Sequence, residues 1–418
     1  MSSNDKTNFD IILEKYTYGG DAMGRLPDGR AAFVPFGLVG ERVRVKLTEE
    51  KKNFARGEIL QILQFSGERI QPRCKHFGEC GGCHYQHIPY EKQLEIKTEI
   101  LRDQLTRIGK IENPPVQPIV ACPNPWNYRN HIQFSLDKNG KLGFVGASLR
   151  LAPTVIEISE CHLPEPSIND FWRQLEFEPE TNVERVSLRA GNDEELMLIL
   201  ESDSPQPPEI EIEAGISVAH VYQDNTVVVA GNDHIFIRVL DRDFKVSASS
   251  FFQVNTLMAE KMVEHLFTCL PVSLSTTLLD LYCGVGLFSA FFAPKCGRVI
   301  GVESSASACE DFAVNLDEFD NVELYEGAAE EVLPSLVGQI ANLSFVIVDP
   351  PRAGIERHAL DAIVQLKPQR IAYVSCDPST MARDAARLIA GGYKLSAVTP
   401  FDMFPQTFHI ESVSLFER

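Results

Sequence analysis

A chain of 418 residues, 44% of them hydrophobic, can hold two or three domains with a core each, and with no apolar run of about 18 residues and no apolar leader after Met1-Ser2-Ser3-Asn4-Asp5 it is expected to be cytoplasmic. Its ten cysteines, scattered over this length, exclude a small disulfide scaffold and favour reduced thiols, metal ligation or catalysis. The formal charge of −19 argues against tight non-specific binding to nucleic acid, but residues 1–110 hold 18 Lys and Arg against 15 Asp and Glu, so the acidity is C-terminal and a local basic surface is compatible with it.

The first 65 residues alternate apolar and polar positions about glycine-rich turns, as in Ala31-Ala32-Phe33-Val34-Pro35-Phe36-Gly37 and Val43-Arg44-Val45-Lys46-Leu47. Short strands punctuated in this way predict a small β-barrel. Arg42, Arg44, Lys46, Lys51, Lys52 and Arg56 make one strand and its hairpin basic, a pattern that charge alone reads as a solvated face. The turn Gly19-Gly20-Asp21-Ala22-Met23-Gly24-Arg25 and the segment Gly40-Glu41-Arg42-Val43 resemble the TRAM domain, an OB-like barrel of RNA-modifying enzymes. That resemblance implies RNA as the barrel's partner.

Residues 90–108 are predicted helical, with Leu94, Leu101, Leu105 and Ile108 on one stripe and Gly109 as the stop. Beyond Pro114-Pro115, strand periodicity returns from about 122 to 245, with Gly-Asn-Asp turns at 191–193 and 231–233. Four short apolar segments follow at 277–281, 298–302, 343–348 and 370–374, separated by helical stretches. Such alternation predicts an α/β domain with a parallel, doubly wound sheet. The expected domains are 1–65, a barrel; 66–245, β-rich; and 246–418, the α/β unit.

Three constellations carry chemistry. Cys74, Cys80 and Cys83 share a loop with Gly78, Gly81 and Gly82, and Cys161 supplies a fourth thiol; the set suits tetrahedral zinc or an iron–sulfur cluster, and spacing does not choose between them. A radical-type cluster, which needs three ligands and an open iron, is disfavoured by that fourth cysteine. Next, Asp280-Leu281-Tyr282-Cys283-Gly284-Val285-Gly286 makes a small-residue turn after a strand, and Glu303 ends the following strand, where a carboxylate can take the ribose hydroxyls of a nucleoside. A third glycine is missing where Phe288-Ser289 stands, which favours S-adenosylmethionine over NAD. Finally, Asp349-Pro350-Pro351-Arg352-Ala353-Gly354 and Ser375-Cys376-Asp377-Pro378 sit at strand ends, where open α/β sheets bind their ligands, with His409-Ile410-Glu411 downstream.

These motifs, with Phe251-Phe252-Gln253-Val254-Asn255 and Phe401-Asp402-Met403-Phe404-Pro405-Gln406-Thr407, resemble the S-adenosylmethionine-dependent RNA uridine-C5 methyltransferases, iron–sulfur 23S ribosomal RNA type, over essentially the whole chain. The resemblance implies a Rossmann-like methyltransferase domain behind a TRAM barrel and a cluster-holding central domain. It implies Cys376 as nucleophile and Glu411 as general base, with Gln253, Tyr282, Glu303 and Asp349 lining the cofactor and base pocket. Cys74, Cys80, Cys83 and Cys161 then hold a 4Fe–4S cluster. The implied protein is a monomer acting on a uridine of 23S rRNA. The T-loop of tRNA is the alternative, and a non-catalytic RNA-binding or RNA-folding protein is disfavoured by the intact Cys376 and Glu411. At Gly327-Ala328-Ala329, where the family often offers the adenine a polar side chain, only backbone can serve.

The residue types match what such a reaction needs. Carbon 5 of uracil is too poor a nucleophile to accept a methyl group unless a thiolate first adds at carbon 6 and pushes electron density onto it. A carboxylate must afterwards remove the carbon 5 proton, so that elimination frees the enzyme. The target base must leave any helical stack, which favours loop substrates.

Overall fold

A computed structural model describes residues 8–147, 154–179, 181–211, 215–223, 225–340 and 342–418. The chain divides into two compact units, one formed by residues up to 100 with 142–162 and 404–409, the other by 101–141, 163–403 and 410–418.

In the first unit β1 (Asn8–Tyr16), β2 (Asp21–Arg25), β3 (Ala31–Pro35), β4 (Arg42–Glu50) and β5 (Phe54–Gln64) close into the expected barrel in the order β1-β2-β3-β5-β4. Period-two alternation decides its interior: Val43, Val45 and Leu47 are buried while Arg42, Arg44 and Lys46 face out. Much of that outer charge is met within the barrel. Arg44 grips Asp10 at 2.7 and 3.0 Å, Arg56 reaches Asp21 at 3.0 Å, and Lys51 reaches Glu49 at 3.2 Å.

The helix α1 (Tyr90–Arg107) stops before Gly109 as expected, but its buried face is rotated from the predicted stripe. Gln93, Ile96, Lys97, Ile100, Leu101, Gln104 and Leu105 are buried, whereas Leu94 is half-buried and Ile108 exposed. Two polar members of this face, Gln93 and Lys97, explain the shift, because they serve polar groups of the 404–406 segment. Lys97 Nζ donates to the Phe404 carbonyl at 2.9 Å, and the Gln93 side chain donates to Gln406 Oε1 at 3.0 Å and accepts from the Gln406 amide at 3.1 Å. In the same 404–409 segment the His409 ring lies 4.3 Å from that of Phe408.

The second unit opens with β6 (His131–Leu136), and the chain returns to the first for the hairpin of β7 (Leu142–Val145) and β8 (Val155–Glu157). After α2 (Pro166–Trp172), the strands β9 (Val183–Ala190), β10 (Leu196–Ser202), β11 (Ser217–Tyr222) and β12 (Asn225–Ala230) extend the second unit's sheet as β12-β11-β10-β9-β6. A hairpin of β13 (His234–Val239) and β14 (Arg242–Ser247) precedes α3 (Thr256–Cys269), whose N-terminus is capped by Asn255.

The α/β part then runs β15 (Thr277–Leu281), α4 (Leu287–Phe292), β16 (Arg298–Glu303), α5 (Ala306–Asn315), β17 (Val322–Glu326), α6 (Ala329–Leu336), β18 (Phe345–Val348), α7 (Arg357–Leu366), β19 (Arg370–Ser375), α8 (Pro378–Ala390), β20 (Lys394–Phe401) and β21 (Glu411–Glu417). Its sheet is ordered β17-β16-β15-β18-β19-β21-β20. Five strands are parallel, the four predicted ones and β17, which was not expected, and β21 lies antiparallel between β19 and β20. The reversal follows from the short 402–410 connection, which can join neighbouring strands only as a hairpin. Leu279, Leu281, Ile300, Val302, Val346, Val348, Ile371 and Tyr373 form the centre of this core. Among the described residues no helix is long and apolar enough to cross a membrane.

One buried carboxylate fastens the β14 turn to this α/β part. Asp311 on α5, with no exposed surface, accepts from the Ser247 amide at 2.8 Å, the Ser247 hydroxyl at 2.7 Å and the Ser250 hydroxyl at 2.6 Å, and pairs with Lys245 at 3.0 Å. Asp311→Ala should therefore cost about 3–5 kcal/mol, because the Lys245 charge and two serine donors lose their partner together, and Asp311→Asn should cost less. Urea unfolding measures both, and an alanine variant as stable as the parent contradicts the account.

Candidate active site

The carboxyl ends of β15, β16, β18 and β19 surround the point where the strand order reverses between β15 and β18, the position at which open α/β sheets form a ligand crevice. In the loop after β15, Tyr282, Gly284 and Gly286 all adopt positive φ, at 59°, 54° and 92°. The two glycines serve different ends. A Cβ on Gly286 would stand 2.4 Å from Leu316 Cδ1, so that glycine is required by packing. A Cβ on Gly284 would meet nothing within 4 Å, and here the backbone is open to a ligand.

Glu303, ending β16, binds that loop: Oε2 accepts from the Gly284 amide at 2.9 Å, while Oε1 accepts from the amides of Ser304 and Ser305 at 2.7 and 2.8 Å. Beneath it, Asp280 is fully buried. Its Oδ2 accepts from the Ser289 amide and hydroxyl at 3.1 and 2.6 Å, its Oδ1 has no partner, and burial pushes the carboxyl up to about 7. An open backbone, a carboxylate at a strand end and a spare buried oxygen suit a nucleoside with hydroxyls and an ammonium to donate. Burial likewise pushes the Tyr282 hydroxyl up to about 12.

On the facing side, Gln253 follows the β14 turn and is buried, its carbonyl held by Asn130 Nδ2 at 3.0 Å. Its Nε2 donates to Asp349 Oδ2 at 3.4 Å, and the Asp349 amide donates to the Leu281 carbonyl at 3.2 Å. An amide beside a carboxylate offers both donors and acceptors, the complement of a uracil edge.

The register of β21 brings the remaining groups together. Ser375 pairs with Ser412 and Phe401 with Glu411, so Glu411 begins its strand beside the end of β19, where Cys376 emerges. Ser375 Oγ donates to the Asp377 carbonyl at 3.0 Å and accepts from the Asp377 amide at 3.2 Å, and Asp377 caps α8, so the thiol sits on a fixed turn at a helix N-terminus. Burial pushes the Cys376 thiol up to about 12, with Glu411 and Asp349 adding to the effect and Arg352 opposing it. Burial also raises Glu411 well above the carboxylate range, again with Asp349 adding and Arg352 opposing. Glu411 Oε1 has no hydrogen-bond partner. A thiol in this field is neutral at pH 7. The sequence reading passed over Arg352, the cation of the cluster, although it stands inside the 349–354 motif directly after the double proline.

The four sequence-predicted cysteine ligands lie in the first unit, all partly exposed. Bonds from the Gly81 amide to the Val145 carbonyl at 3.0 Å and from the Lys75 amide to Glu160 Oε1 at 2.8 Å hold the 74–83 loop against β7 and the residue preceding Cys161. The Gly82 amide donates to Cys80 Sγ at 3.4 Å; burial raises the Cys74 thiol, and the amides of His76 and Phe77 oppose the rise. Amide donors on sulfur are the surroundings a thiolate-held centre needs. Among the described residues, no three His, Cys, Asp or Glu side chains stand in metal-ligating geometry.

Residues 216–418 match the family described as tRNA (Uracil-5-)-methyltransferase, and residues 7–60 match the TRAM domain. An uncharacterized RNA methyltransferase of Thermosynechococcus vestitus is 32% identical over 97% of both chains, and one of Aquifex aeolicus is 34% identical over 97% of this chain and 98% of its own. Among solved structures, the tRNA (uracil-54, C5)-methyltransferase of Pyrococcus abyssi in complex with S-adenosyl-L-homocysteine superposes with a TM-score of 0.72 at 26% identity, over 98% of this chain and 100% of that one.

Burial holds Asp349 up at about 7, against 3.8 for the free side chain, so between those values the native state binds a proton that the unfolded chain has released. Its contribution to stability is therefore present below about 4, is lost as pH rises to about 7, and is constant above that. Asp349→Asn removes the effect: the variant's stability relative to the parent should rise across this window and then level, as measured by urea unfolding at a series of pH values. A difference that stays flat from pH 4 to 7 refutes the assignment.

Proposed function

Because the chain belongs to the S-adenosylmethionine-dependent RNA uracil-C5 methyltransferase family, we propose that it makes 5-methyluridine through a covalent adduct on Cys376. The observation that carries this reading is the meeting of Cys376, Glu411 and Asp349 in one crevice, set by the pairing of β21 with β19. Gly284, Tyr282, Glu303 and the free oxygen of Asp280 hold S-adenosylmethionine, which supplies an electrophilic methyl group when bound. Gln253 and Asp349 bind the uracil edge and orient carbon 6 toward the thiol.

Cys376 Sγ adds to carbon 6 as its proton passes to a pocket carboxylate in its ionised form, the carbon 5–carbon 6 π electrons become an enolate, and carbon 5 bonds to the methyl group as the sulfonium–methyl bond breaks and leaves a neutral thioether. Glu411 in its ionised form then takes the proton from carbon 5, the electron pair re-forms the ring double bond, and the sulfur–carbon 6 bond breaks as the departing thiolate takes back the proton it gave up. Arg352 offsets the negative charge that the adduct and the carboxylates share.

The substrate we infer is a uridine of 23S rRNA, a reading supported by the combination of TRAM barrel and four-cysteine loop. The whole-chain similarity to the Pyrococcus abyssi tRNA enzyme favours a second reading, a T-loop uridine of tRNA. Mapping 5-methyluridine in total RNA of a deletion strain separates them. Cys74, Cys80, Cys83 and Cys161 hold a 4Fe–4S cluster in this proposal, and the protein acts as a monomer.

Cys376→Ala should abolish methyl transfer while S-adenosylmethionine still binds, since the thiol touches the base and not the cofactor. Glu411→Gln should allow addition and methylation and then stall, leaving methylated RNA attached through Cys376; the double variant should lose the adduct. A denaturing gel with labelled RNA reads this, and normal turnover by Glu411→Gln assigns the base elsewhere.

Protein purified without oxygen should be brown and carry about four iron atoms per chain, and Cys80→Ser should bleach it. Stoichiometric zinc in place of iron overturns the cluster.

A further inference from the structure

Asp384, on α8, is fully buried, touches neither the thiol nor Glu303, and still has every lone pair engaged by a neighbour that leads back to the crevice. Its Oδ2 accepts from the Ile355 amide and from the Tyr373 hydroxyl, both at 2.9 Å. Its Oδ1 accepts from Arg383 Nε at 2.8 Å and forms an ion pair with Nη2 at 2.8 Å, and Nη2 donates to the Ala353 carbonyl at 3.0 Å. Gly354 lies between these anchors at φ 80°, where a Cβ would stand 2.5 Å from Arg383 Nη2 and 2.6 Å from Asp384 Oδ2. The segment immediately after Arg352 is thus held at Ala353 by its carbonyl, at Gly354 by contact and at Ile355 by its amide.

The other end of the clasp reaches the nucleophile. Tyr373 stands on β19 three residues before Cys376, and α8, which bears Arg383 and Asp384, begins at the turn that presents the thiol. One carboxylate therefore joins the strand and helix on either side of Cys376 to the loop that delivers Asp349 and Arg352. A buried carboxylate this fully satisfied has only one arrangement of donors that avoids an unpaired charge, so it fixes separation as well as adding cohesion.

We propose that Asp384 and Arg383 are positioning residues for the methyl transfer, holding the 349–355 loop at its working distance from Cys376 and governing the chemical step while leaving cofactor binding to the β15 and β16 loops. The proposal rests on the uridine methyltransferase reading. Misplacement of reacting groups by about an ångström costs on the order of a hundredfold in rate, so a loosened clasp should be visible in turnover.

The test uses the full-length protein and the variant Arg383→Met, chosen because Arg383 is half exposed and its loss frees Ala353 while leaving Asp384 its other two donors. Single-turnover methylation should slow roughly tenfold or more, the Kd for S-adenosylmethionine measured by calorimetry should stay within about threefold, and amide exchange should quicken over residues 353–356. Arg383→Lys, which keeps the charge and one donor, should recover part of the rate. A smaller fall in rate, or a Kd that weakens in step with it, overturns the proposal, and so does unchanged exchange. Asp384→Asn, which presents an amide nitrogen to Arg383 or to Ile355, should show the same split more strongly if it folds. Exchange is read without turnover, so a parent protein that methylates no uridine refutes the functional reading while the clasp is still tested.

Discussion

The site depends on the antiparallel pairing of Ser375 with Ser412. This register sets Glu411 beside the end of β19, and because side chains alternate along a strand, a slip of one residue would send the carboxylate to the other face of the sheet. The preceding pair, Val374 with Val413, belongs to the same ladder and lies in the buried core, so the register is specified by the hydrophobic packing that stabilises the fold. Cys376 and Glu411 are thus placed by two strands that pair within the buried sheet.

The electrostatics of the crevice follow from that placement. Asp349, Glu411 and Cys376 share a buried crevice with the Arg352 guanidinium, and burial pushes all three toward their neutral forms. A thiol raised in this way is a poor nucleophile toward casual electrophiles.

Much of this was legible in the sequence, for identifiable reasons. The barrel showed in strict alternation, the parallel strands in short apolar runs, and the crevice in motifs that all stand at strand ends. The features that stayed hidden depend on distant partners. Nothing local marks β21 as a reversed strand, because its serines alternate with apolar residues as they would on a half-exposed edge, although Ser412 and Ser414 are buried. The stripe of α1 was misplaced because two of its buried positions, Gln93 and Lys97, are polar and find their partners more than 300 residues away. Gly284 and Gly286 look alike in the sequence, and only the space around each separates a ligand-facing glycine from a packing one.

Those remote partners also bear on how the chain is made. Lys97 and the Phe404 carbonyl are 307 positions apart, and Gln93 and Gln406 are 313 apart. During synthesis the barrel can close on its own short-range pairings soon after it emerges, whereas the α1 ammonium and amide must wait until the 404–409 segment leaves the ribosome. The first unit therefore finishes folding last, in step with the strand that carries Glu411. A prematurely terminated chain would keep its barrel and expose a lysine-bearing apolar face, a surface that chaperones and proteases can recognise as unfinished.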